Sequence, residues 1–78
     1  MQSLENFRFN LRRLIDERED LSQRIIAARV GTSQVHIHRI LKGTVSPTLA
    51  MCDKIADAVG VPLADLVVHP EKFPVEVS

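Results

Sequence analysis

Between Ser33 and Gly43 the chain reads SQVHIHRILKG, and its polar side chains are of kinds that recognise another molecule through hydrogen bonds and charge. Read as a helix, it turns Gln34, Val35, His38, Arg39 and Lys42 outward and Ile37, Ile40 and Leu41 inward. A glutamine amide matches N6 and N7 of adenine, and an arginine fork matches guanine or a phosphate. A valine methyl fits against the methyl of thymine. Lys42, Thr44 and the helix-start amides of Ser33 and Gln34 suit phosphate oxygens. This is the chemistry of base-edge and backbone contact, and no bond-breaking step belongs to it.

Catalytic and metal chemistry find little to work with. His36 and His38 fall on opposite flanks of the helix, which argues against a metal or catalytic pair. Cys52 is the single cysteine, so it makes no internal disulfide and points to a reducing, cytoplasmic setting. With His36, His38 and His69 it completes no familiar zinc spacing. No paired-carboxylate pocket, nucleophile with a base, or phosphate-cradling loop is legible, and 78 residues are few for closing a substantial cleft. The expectation is a protein that is no enzyme and carries no cofactor or metal.

Formal net charge is zero, which by itself counts against nucleic acid. The distribution of charge points the other way. From Leu21 to Cys52 there is no Asp or Glu, while Arg24, Arg29, Arg39 and Lys42 all fall there. His36 and His38 lie in the same window and suit a phosphate backbone. Segregated charge of this kind makes a local positive face on a neutral molecule. No apolar run approaches the roughly 20 residues of a membrane span, and MQSLENFRFN lacks the pattern of a leader.

These side chains need elements to hold them, and helical periodicity with turn signals supplies five. The first runs from Ser3, its expected cap, to about Arg18, with Leu4, Phe7, Leu11 and Leu14 on one stripe and Phe9 off it. Ser22 caps a second helix carrying Ile26, Ala27 and Val30 inward, and Gly31 stops it. Ser33 caps the third, and Gly43 ends it. Ser46-Pro47 opens a fourth with a buried stripe of Leu49, Cys52, Ile55, Ala56 and Val59, ended by Gly60. Pro62 opens a fifth, reaching about Val68. The fold class is therefore all-α: one domain over residues 1–68, followed by a tail over 69–78 as an arm, a strand or a disordered end.

Two short helices joined at Gly31, with small Ala27 where they cross, make a helix-turn-helix whose second member is free to enter a major groove. From about Leu11 to Leu66 the chain resembles the lambda-repressor-like helix-turn-helix family, also called the Xre or Cro/cI type. The resemblance rests on Leu21-Ser22-Gln23, Ala27, Val30-Gly31-Thr32-Ser33-Gln34, Ile37, Ile40 and Gly43. It continues through Ser46-Pro47-Thr48-Leu49, Ile55-Ala56 and Gly60-Val61. It implies that Gln23 opens the second helix and contacts phosphate, and that Gln34 reads a base. The base-reading set is then Gln34, Val35, His38 and Arg39; the phosphate set is Gln23, Arg24, Ser33, His36, Lys42 and Thr44. The chain departs from the family at Asp16 and Leu41, where many members carry an Arg–Glu pair, so apolar packing is expected to join the first and third helices. It also departs at Ile25, at Cys52 (read as core) and at Pro62.

A single helix reads only four or five base pairs, and the family answers with two-fold symmetric dimers on double-stranded DNA. Leu63, Val67 and Val68, with Phe73 and Val75 of the tail, are the candidate interface of a homodimer. The resemblance implies a repressor acting by occupancy in the cytoplasm, associated with the nucleoid when bound. A second reading makes the chain an antitoxin or an adaptor, with Ile25, Phe9 and the apolar tail facing a protein partner such as a toxin.

Overall fold

The computed structural model describes residues 2–72. Five α-helices follow one another: α1 Gln2–Glu17, α2 Gln23–Val30, α3 Gln34–Lys42, α4 Leu49–Val59 and α5 Leu63–Leu66. A 3-10 turn at Pro70–Lys72 closes the described chain, and no strand occurs among the described residues. All-α architecture is thus the observed one.

One core organises these elements. Phe7 and Leu11 of α1, Ile26 of α2, Ile37 and Ile40 of α3, Ile55 of α4 and Leu66 of α5 are all fully buried. Each contributes about 1.5–3 kcal/mol of burial, which is why the five short helices hold together where each alone would fray. Ala27 is 3% exposed, and its small side chain lets α2 and α3 cross closely. Cys52 and Leu41 also lie in the core.

Helix boundaries follow from caps. Ser22 accepts the amide of Ile25 at 3.1 Å and Ser33 that of His36 at 3.1 Å, as their positions predict. Gly31 and Gly43 take φ of 87° and 88°, a left-handed turn that any Cβ would strain. Two starts differ from expectation. Ser3 lies inside the first turn of α1, not at its cap. In α4 the Thr48 hydroxyl accepts the Met51 amide at 3.1 Å, so the helix begins two residues beyond Pro47. Leu49 then occupies the first helical position, past the edge of the core, and is 76% exposed where burial was expected. Helix α5 stops at Leu66, short of Val68, and the carbonyls of Leu66, Val67 and Val68 accept from side chains of α1.

Those side chains are the least legible part of the fold. Asn10 sits fully buried within the apolar stripe of α1. Its amide donates to the Leu66 carbonyl at 2.9 Å and to that of Val68 at 3.0 Å, while Oδ1 finds no partner. Asn6 donates to Val67 at 3.1 Å, and Arg13 to Pro70 at 3.4 Å. Guanidinium groups close other helix ends in the same way. Arg8 Nε donates to the Ile40 carbonyl at 2.9 Å and Arg12 to that of Leu41 at 2.6 Å. Arg18 donates to Val59 at 2.8 Å, and Arg29 to Ala58 at 2.9 Å. Apolar packing does join α1 to α3, with Leu41 in the core as expected, and two arginines add polar bonds beside it.

Candidate nucleic-acid interface

Helix α3 owes its exposure pattern to its spacing. Ile37 and Ile40 are fully buried and Leu41 nearly so, which leaves Gln34, Val35, His38, Arg39 and Lys42 exposed on the remaining surface. Val35 is 56% exposed, an apolar side chain in water beside polar neighbours. The Ser33 cap holds the first turn, and its hydroxyl is engaged in that bond. No acidic side chain in the first turn opposes an anion at this helix start. His36 is half-buried. At the other end the Thr44 hydroxyl turns back to the Arg39 carbonyl at 3.3 Å.

The His69 Nδ1 accepts the Glu71 amide at 3.2 Å, and among the described residues the ion pairs are Arg13 with Glu17 and Arg18 with Asp20. None engages Arg24, Arg39 or Lys42, so the exposed cations of α2 and α3 face solvent without an acidic partner there. Arg29, counted with that positive window from sequence, donates from Nη1 to the Ala58 carbonyl near the end of α4. Asp20 is held below the usual carboxylate range, chiefly by its hydrogen bond from Arg18.

Three elements meet beside this face. A groove of about 350 Å³ is lined by Arg12, Ile15 and Asp16 of α1, by Gln23 of α2, and by His38, Leu41 and Lys42 of α3. It brings Gln23 of α2 against His38 and Lys42 of α3, a meeting that helical spacing alone does not show. Gln34, Val35 and Arg39 do not line it. Sequence reasoning misses Arg8 and Arg12, although their four-residue spacing on α1 puts both on one helix face.

A short helix, a glycine turn and a capped helix with an open face are held by three further helices. A helix-turn-helix family model matches residues 11–66. The chain belongs to the lambda-repressor-like helix-turn-helix family. Neither the curated proteins nor the solved structures compared with it give a significant match. Membership makes it a DNA-binding regulatory domain in general terms, with α2 and α3 as its helix-turn-helix. Among the described residues no helix is long and apolar enough to cross a membrane, and no cluster of His, Cys, Asp and Glu is arranged to hold a metal ion.

Proposed function

We propose that this helix-turn-helix protein is a sequence-specific repressor that binds double-stranded DNA as a homodimer, with α3 in the major groove. The observation that carries this reading is the outward face of α3, where a glutamine, a valine, a histidine, an arginine and a lysine stand exposed over a fully buried apolar side. Gln34, Val35, His38 and Arg39 read base edges. Gln23, Arg24, Ser33, His36, Lys42 and Thr44 contact the flanking backbone. Repression follows from occupancy of the site in the cytoplasm, without catalysis.

Dimerisation uses Leu63, Val67 and Val68, half-buried residues at the edge of the core. Leu63 and Val67 line an apolar groove of about 550 Å³ with Leu4, Phe7, Pro47 and Leu49. Phe73 and Val75, assigned to the same interface from sequence, lie outside the described residues. An exposed Leu49 beside this groove, and Phe9 at 56% exposure on α1, favour a second reading in which a protein partner such as a toxin docks on the same domain.

Selection of bound duplexes from a random pool tests the reading. An enriched site with two-fold symmetry and half-sites about ten base pairs apart supports it. Weak, salt-sensitive retention without enrichment overturns it in favour of the protein-partner reading.

A further inference from the structure

We infer that Arg8 and Arg12 of α1 are positioning residues for base readout: they fix the tilt of α3, and through it the placement of Arg39 on its base pair. This inference rests on the DNA-reading function proposed above. Helix α3 is held at two ends. At its start, the Ser33 hydroxyl closes the first turn on the His36 amide, and the Gly31 turn leads in from the end of α2. At its finish, the Gly43 amide donates to the Arg39 and Ile40 carbonyls at 3.0 and 3.2 Å, and Thr44 N donates to Arg39 at 3.1 Å. Arg8 reaches the Ile40 carbonyl at 2.9 Å and that of Val45 at 3.5 Å, and Arg12 takes the Leu41 carbonyl at 2.6 Å.

Two positive groups at a helix C-terminus also complement its dipole. The Arg8 guanidinium packs over the left-handed turn, 3.8 Å from where a Cβ on Gly43 would stand. Asp16 and Leu41 leave no side-chain ion pair between α1 and α3, so the bonds to Ile40 and Leu41 are the polar link between the two helices, with Val45 joined just beyond.

The consequence is a lever. With the arginine bonds removed, Ile40 and Leu41 still pack in the core, and the freedom left to α3 is a small tilt about its start at Gln34. Arg39 lies roughly 8 Å along the axis from Gln34, and Lys42 roughly 12 Å, at 1.5 Å per residue. A tilt of roughly 5° then moves Arg39 by about 0.7 Å while Gln34 scarcely shifts, and hydrogen bonds to base edges weaken over such distances. Loss of the clamp therefore degrades readout unevenly along the site.

The test compares wild type with Arg8→Met, Arg12→Met and Arg12→Lys, on the selected operator and its single-base variants, at a temperature where circular dichroism shows each protein folded. Gln34→Ala and Arg39→Ala first identify the base pair that each residue reads. In Arg12→Met, preference at the Arg39 base pair should fall about fivefold, a fraction of what a full bidentate contact discriminates, with less than twofold change at the Gln34 base pair. The salt slope should stay as in wild type, and Arg12→Lys, which keeps one donor for the Leu41 carbonyl, should recover most of the preference. Arg8→Met should follow Arg12→Met; if it does not fold, Arg8→Lys, whose single nitrogen replaces the separate Nε and Nη2 donors, takes its place. Equal loss at every base pair, or no loss, overturns the proposal. So does a salt slope lowered by about one unit in Arg12→Met, because that makes Arg12 a phosphate contact in its own right. A wild type that selects no operator overturns the DNA-reading function itself, a failure distinct from variants that read the operator as well as wild type does.

Discussion

Replacing Asn10 by leucine sets two opposed costs against each other inside the core. Asn10 is fully buried, its amide bonds the Leu66 and Val68 carbonyls at 2.9 and 3.0 Å, and its Oδ1 is orphaned. The substitution removes the part-buried bond to Val68, worth about 1 kcal/mol, and strands the carbonyl of the buried Leu66, which costs about 1–3 kcal/mol. It also removes the orphaned oxygen, which returns about 1–3 kcal/mol, and it nearly conserves volume. The bonds win by about 1 kcal/mol, so the melting temperature should fall by about 4–8 °C for a domain of this size. With no tryptophan or tyrosine in the chain, far-ultraviolet circular dichroism during heating and urea titration is the suitable assay. A leucine variant as stable as wild type, or more so, would refute the reasoning, because the orphaned acceptor would then outweigh the two bonds.

Other expectations are narrower. Gln34→Ala should weaken operator binding by about 1–3 kcal/mol and relax preference at one base pair, whereas Lys42→Ala should lower affinity on all sequences and reduce the salt slope by about one unit. Titrations on matched and mismatched duplexes at several salt concentrations separate the two; equal losses on every duplex for Gln34→Ala would remove it from the base readers. Gly31→Ala meets no atom within 4 Å, so its cost should be backbone strain alone, about 1–2 kcal/mol, read by urea denaturation. Thr48→Ala should cost about 1 kcal/mol by the loss of the α4 cap, and an unchanged midpoint would return the helix start to Pro47. Burial pushes the Cys52 thiol above its ordinary value, so labelling by a thiol reagent should be slow in the folded protein and fast in urea. Rapid labelling under native conditions would place that side chain in solvent.

Much of this arrangement is legible in local signals. Glycine stops at 31, 43 and 60, serine caps at 22 and 33, and three- and four-residue apolar steps are enough to place α2, α3 and most of the core. The start of α4 departs from its signal because proline at 47 is a good first helical residue, yet a threonine hydroxyl immediately after it makes the stronger cap. Leu49 shows the limit of periodicity, which gives the face of a helix but not where the core ends along it. Asn10, Arg8 and Arg12 are not legible in their roles, because their partners are main-chain carbonyls distant in sequence and carry no residue-type signature. For the same reason the outward set on α3 can be read from its spacing, but not the groove that joins Gln23 to His38 and Lys42.

The guanidinium caps also bear on how the domain folds. The bonds from Arg8, Arg12, Arg18 and Arg29 to helix-end carbonyls join residues between 29 and 41 positions apart. None of them can form within an isolated helix, and α2 to α5 are each at most 11 residues long, below the length at which a helix persists alone in water. Each helix end is therefore completed only when a distant segment has arrived, which couples secondary structure to assembly and favours all-or-none folding. It follows that the helix-turn-helix is not a portable unit: cut out as residues 21–44, it would leave behind the arginines of α1 that finish its second helix.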